Sequence, residues 1–134
     1  MRSDQESSRS GSKVAKILLV DDDQSVLETL SSAIESRVHL VVQAHDGFEG
    51  LLRYREQEFD LVITDVIMPN EEGLGMISKL REHDRSAKII AISRGGRTGN
   101  VEFLKIAEAL GATAVMKKPI RLAALFEMLD VCLQ

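Results

Sequence analysis

The sequence predicts an α/β protein built on a doubly wound parallel sheet. Two observations predict it. Short β-branched apolar runs alternate five times with segments of helical period. Almost every run also ends in a polar group suited to chemistry: Asp21-Asp22-Asp23, Asp65, Ser93 and Lys118. Open parallel sheets build their binding sites at that carboxyl edge.

The elements follow in order. Residues 1–13 are Ser-rich, lack apolar periodicity and read as a disordered leader; one domain is expected over 14–134. Lys16-Ile17-Leu18-Leu19-Val20 is a buried strand. Val26, Leu30, Ala33 and Ile34 repeat at helical spacing after it. Val38 to Ala44 reads as a second strand, with Asp46 as N-cap of a helix that carries Phe48, Leu51 and Leu52 on one side and Arg53, Arg55 and Glu56 on the other. Leu61-Val62-Ile63-Thr64 runs straight into Asp65 and a turn at Met68-Pro69. Gly73 to His83 is a third helix, with Met76, Ile77 and Leu80 inward. Lys88 to Ile92 is a strand ending in Ser93. The glycine-rich stretch Arg94 to Asn100 leads to a helix with Phe103, Ile106, Ala107 and Leu110 inward and Gly111 as its C-cap. Thr113 to Lys117 is the fifth strand. The last helix has a core stripe of Leu122, Leu125, Phe126, Leu129 and Leu133.

Composition narrows the function classes. A chain of 134 residues fits one domain with an ordinary core. The net charge of −4 argues against a general nucleic-acid binder. One cysteine, Cys132, excludes an internal disulfide and reads as a small buried apolar residue. His39, His45 and His83 show no ligand spacing and read as surface residues. No apolar run approaches the roughly 20 residues that span a bilayer, and no signal core opens the chain, so a cytoplasmic location is expected.

The strand-end groups define a chemistry. Carboxylates gathered at one edge repel and need a cation. A hard divalent ion with oxygen ligands suits them, and Mg²⁺ suits one or two carboxylates, waters and a phosphoryl oxygen; Mn²⁺ is the alternative. A lysine neutralises a carboxylate or an incoming phosphoryl group, and a serine hydroxyl donates to it. Together these groups point to phosphoryl transfer onto a carboxylate.

In this order and spacing, the motifs over 14–134 resemble the receiver domain of bacterial response regulators. They are Ile17-Leu18-Leu19-Val20-Asp21-Asp22-Asp23, Asp65-Val66-Ile67-Met68-Pro69 with Gly73, Ser93, Gly111-Ala112, and Lys117-Lys118-Pro119. The resemblance implies a flavodoxin-like three-layer fold with strand order 2-1-3-4-5. It implies Asp65 as phosphoacceptor and Asp22 as a direct metal ligand, with Asp21 acting through a water and the Ile67 carbonyl as a further ligand. Ser93 would bind and report the phosphoryl group, Lys118 would pair with it, and Lys118-Pro119 would be cis. Ile67 and Arg94 would flank the hydrolytic water and set the lifetime of the phosphorylated state. Asp23 is not expected to bind the metal.

Three departures modify the expectation. Val115 stands where the family often has an aromatic, so signalling would run without an aromatic rotation. The Arg94–Asn100 loop is longer than the family's usual connection, and Arg94 or Arg97 could reach the phosphoryl group or a partner. No output domain follows the last helix, so a stand-alone receiver acting through protein contact is expected. Ala124, Met128 and Val131 form a second apolar stripe on that helix, which suggests a homodimer or partner interface on the surface of the fourth helix, fifth strand and fifth helix. The expected donors are a sensor histidine kinase or a histidine phosphotransfer protein. The downstream partner is unknown, no nucleic acid or membrane partner is expected, and the domain is not expected to be a turnover enzyme. A phosphorylation-independent interaction module and a metal-dependent phosphatase or nuclease on a similar sheet remain as alternatives.

Overall fold

The computed structural model describes residues 14–66, 72–94 and 105–134, without the side chains of residues 72, 73 and 94. Residues 1–13, Ile67 to Pro69, the glycine-rich segment after Arg94 and Phe103 therefore lie outside the described residues. The strands are β1 (Lys16–Val20), β2 (Leu40–Ala44), β3 (Leu61–Asp65), β4 (Ile89–Arg94) and β5 (Ala114–Lys118). The helices are α1 (Gln24–Glu35), α2 (Gly47–Glu56), α3 (Glu72–His83), a helical turn at 105–109 termed α4, and α5 (Leu122–Cys132). The sheet is parallel throughout, in the order β2-β1-β3-β4-β5. This is the predicted order 2-1-3-4-5.

Strand side chains alternate between two cores because successive Cβ atoms point to opposite faces. Ile17, Leu19, Leu61, Ile63, Ile90 and Ile92 pack with α1 and α5 through Leu27, Leu30, Ile34, Leu125 and Leu129. Leu18, Val20, Val62, Ile89 and Ala91 pack with Leu51, Met76, Ile77, Leu80 and Ala107 on the other side. Helices thus cover both faces, which is why β1 and β3 read as continuous apolar runs.

Local chemistry sets the helix ends. Asp23 caps α1 by accepting from the Ser25 amide at 2.9 Å, and Asp46 caps α2 by accepting from the Glu49 amide at 2.7 Å. Gly111 adopts φ 115° after α4. Its N–H donates to Glu108 and that of Ala112 to Ala107, the paired bonds of a Schellman cap. Arg81 then donates to the Gly111 carbonyl at 2.6 Å and to that of Arg85 at 2.6 Å, tying α3 to the turn before β5.

Several of the expected faces are corrected. Phe48 and Leu52 are exposed; α2 turns Gly47, Gly50 and Leu51 to the core instead. A Cβ on Gly50 would lie 2.8 Å from Met76 Cε and 3.0 Å from Val20 Cγ2, so the helix backbone itself approaches β1 and α3. Ile106 is exposed while Ala107 is buried. Leu122 is exposed because the inward stripe of α5 begins one turn later, at Leu125, and continues to Leu129 and Cys132. On the second stripe of α5, Ala124 is half-buried and Met128 packs on the core, leaving Val131 exposed. The second strand starts at Leu40, not Val38, because Val38 sits in a turn at φ 68°.

Candidate functional site

Register explains why distant residues meet. Val20 lies opposite Thr64, so Asp21 and Asp65 emerge next to each other at the sheet edge. Asp65 is opposite Ile92, and Ile92 is opposite Met116, two residues before Lys118. Asp21, Asp65 and Lys118 each continue the alternation toward the α1–α5 side. Ser93 follows Ala91 by two and so continues the other face, at the same edge and fully buried. Val115 is half-buried and packs on that second side.

The centre of the site is a lysine between two acids. Lys118 Nζ donates to Asp21 Oδ2 at 2.8 Å and to Asp65 Oδ2 at 2.8 Å. Asp21 is 2% and Asp65 1% exposed, so both charges depend on protein partners. Burial alone would lower the pKa of the Lys118 ammonium. The hydrogen bonds from Asp21 and Asp65, and their charges, outweigh it and hold the group above its ordinary value. The Asp23 amide donates to Asp21 Oδ1 at 2.9 Å, which orients Asp21 from the opposite end.

Asp22 is exposed beside this pair. One carboxylate oxygen from each of Asp21, Asp22 and Asp65 comes within 4.8 Å of the others. An all-oxygen, acidic donor set of this size fits a hard divalent cation such as Mg²⁺ better than a soft metal. Asp23 is engaged with Ser25, which holds its carboxyl below the usual range, consistent with a capping role. The Lys118–Pro119 bond is cis, as expected. Ile67 and the Arg94 side chain lie outside the described residues.

One polar residue escaped the sequence reading. Thr64 is fully buried, and its hydroxyl donates to the Asp65 carbonyl at 3.1 Å. The available signal was a hydroxyl inside an otherwise apolar strand, directly before the acid. A groove of about 460 Å³ beside Lys118 is lined by Val26, Leu30, Pro119 and Ile120 with Ser25 and Thr29. Of the histidines, His45 and His83 are exposed, whereas His39 is half-buried and its Nδ1 accepts from the Ala15 amide at 3.0 Å. Among the described residues, no helix is long and apolar enough to cross a membrane.

A family model described as the response regulator receiver domain matches residues 17–130. The chain is 31% identical over 106 residues to the chemotaxis protein CheY of Halobacterium salinarum, covering 79% of this chain and 86% of that one. It is 35% identical over 104 residues to the transcriptional regulatory protein CpxR of Escherichia coli, covering 78% of this chain but 43% of CpxR. A CheY-like receiver domain protein from Methanospirillum hungatei superposes with a TM-score of 0.80 at 26% identity, covering 90% of this chain and 94% of that one. Vibrio cholerae CheY4 superposes with a TM-score of 0.79 at 26% identity, covering 90% of this chain and 99% of that one. The order of the strands, the acids and lysine at their ends and the matched span agree: the chain belongs to the response regulator receiver domain family, the phosphoacceptor modules of two-component signalling.

Proposed function

We propose that Asp65 is the phosphoacceptor and takes a phosphoryl group from phosphohistidine on a sensor histidine kinase or a histidine phosphotransfer protein. The observation that carries this reading is the Lys118 ammonium at 2.8 Å from both Asp21 and Asp65. A carboxylate oxygen of Asp65 attacks phosphorus, the P–N bond to the donor imidazole breaks, and the imidazole keeps the electron pair. Lys118 offsets the charge that collects on the phosphoryl oxygens. Asp22 and Asp65 would hold Mg²⁺, or Mn²⁺, directly, with Asp21 acting through a water and the Ile67 carbonyl as a further ligand. Exposed Asp22 beside doubly hydrogen-bonded Asp21 supports that division. The ion, when bound, supplies a further positive charge to the transferred group.

Ser93 binds the phosphoryl group and reports it through the segment that follows, with Val115 taking no rotating part. Ile67 and Arg94 set the access of water to the phosphorylated aspartate. The domain promotes its own phosphorylation and dephosphorylation and is not a turnover enzyme. The donor protein docks along the groove between α1 and the Lys118–Ile120 corner, which opens beside Lys118. Output is by protein contact in the cytoplasm. A homodimer would use α4 and α5, where Ile106, Leu122 and Val131 are exposed; sedimentation with and without beryllofluoride tests it, and a monomer in both states removes it. The reading as a whole is tested with a phosphohistidine donor and Mg²⁺. Transfer is expected to the native chain and to be lost in Asp65→Asn; equal transfer to both contradicts it.

A further inference from the structure

The peptide that follows Asp65 is held from both sides. Its carbonyl, that of Asp65, accepts from the Thr64 hydroxyl at 3.1 Å. Its amide, that of Val66, donates to the Ile92 carbonyl at 2.9 Å. Thr64 has no exposed surface, and Val66 is 2% exposed, so water does not compete for these bonds. The hydroxyl has one proton and a second neighbour, Met76 Sδ, at 3.8 Å. A carbonyl oxygen is the better acceptor, so the proton goes to Asp65 and the thioether supplies packing. Strand alternation separates the tasks. The Asp65 side chain faces Lys118, while the Thr64 side chain faces α3 and grips the backbone from behind.

We propose that Thr64 is a positioning residue for phosphoryl transfer, a role that rests on reading Asp65 as the phosphoacceptor. A valine of similar shape would satisfy the strand and the apolar core equally well. The hydroxyl instead fixes the peptide plane next to the nucleophile, and with it ψ of Asp65. That angle sets where the carboxylate stands relative to Lys118 and the direction in which the chain leaves β3. Misplacement of a reacting group by a fraction of an ångström is costly because attack requires aligned, near-contact atoms. The bond on the carbonyl side thus complements the Val66–Ile92 bond on the amide side, and neither alone fixes the plane as firmly.

The test compares Thr64→Val, Thr64→Ala and Thr64→Ser in the full chain. The rate of labelling by acetyl phosphate at saturating Mg²⁺ is measured beside hydrogen exchange of the Val66 amide and urea unfolding. Thr64→Val is expected to label about 3- to 10-fold more slowly, the scale of one buried hydrogen bond, with faster Val66 exchange. Thr64→Ser, which keeps the hydroxyl and loses the methyl, is expected to label within about 2-fold of the native chain. If Thr64→Val fails to fold, the comparison of Thr64→Ser with Thr64→Ala carries the same contrast. Native labelling rates in Thr64→Val, or equal slowing in Thr64→Ser and Thr64→Ala, overturn the role. A native chain that does not label at all, with Val66 exchange still faster in Thr64→Val, instead overturns the phosphoacceptor reading and with it the functional role of Thr64.

Discussion

Lys118 Nζ stands 2.8 Å from Asp65 Oδ2, bridging residues 53 positions apart, and is equally close to Asp21 Oδ2, 97 positions away. One cation therefore joins the first, third and fifth strands at their carboxyl ends. Without it, two nearly inaccessible carboxylates would face each other. The relationship is both structural and chemical, since the charge that quiets the acids at rest also suits an arriving phosphoryl group.

Replacing that charge is expected to hurt both transfer and stability, because it leaves two buried carboxylates without their shared cation. Lys118→Met is expected to slow labelling of Asp65 by about 100-fold, the scale for losing one preorganised donor to a transferring group. Lys118→Arg keeps the charge but not its compact geometry, and should fall between the two. Rates of labelling by acetyl phosphate across the three proteins check this.

Divalent cation is expected to stabilise the fold through the Asp21, Asp22 and Asp65 carboxylates. A ligand that binds the folded state alone, present at ten times its dissociation constant, adds about 1.4 kcal/mol. Urea unfolding with Mg²⁺ against EDTA at constant ionic strength should show that gain. Asp22→Ala should abolish most of it, because Asp22 is the exposed member of the set.

Tyr54 gives a pH prediction with a clear sign. Burial, followed by the hydrogen bond its hydroxyl donates to Asp84 Oδ2 at 2.8 Å, pushes the phenol up to about 12 from 10.0. The folded state thus holds the proton more tightly than the unfolded one. The resulting stability is fully present below pH 10 and is lost as pH rises toward 12. The chain has one tyrosine and no tryptophan, so phenolate absorbance reports this group alone. A midpoint near 12 is expected in the native chain and a lower one in Asp84→Ala.

Val38 is a β-branched residue at φ 68°, 72% exposed, just after α1. Left-handed backbone costs an L-residue roughly 1–2 kcal/mol, and glycine avoids most of it. Val38→Gly is expected to stabilise the fold by about 1 kcal/mol after the entropy of the added glycine is charged against it. Chemical denaturation decides; a loss of stability would mean that Val38 makes a contact its exposure does not reveal.

Much of the fold could be read from the sequence because the central strands are buried on both faces, so Ile17 to Val20 and Leu61 to Ile63 are unbroken apolar runs. The strand-end groups were readable for a related reason, since a parallel sheet brings every carboxyl end to one edge. Phe48 and Leu52 misled because hydrophobic periodicity gives no weight to glycine, whereas α2 packs through the bare backbone at Gly50. The Tyr54–Asp84 bond and the Arg81 clamp on Gly111 span 30 residues each and depend on helix placement rather than local pattern. Thr64 passed as an ordinary strand residue because its bond goes to the backbone, which no side-chain pattern records.

The most direct test of the account is to map the phosphorylated residue after incubation with acetyl phosphate and Mg²⁺. Mass analysis of peptides after borohydride trapping is expected to place a single modification on Asp65, absent when EDTA replaces Mg²⁺. Modification of a different residue, or of Asp65 at the same rate without divalent cation, would contradict it.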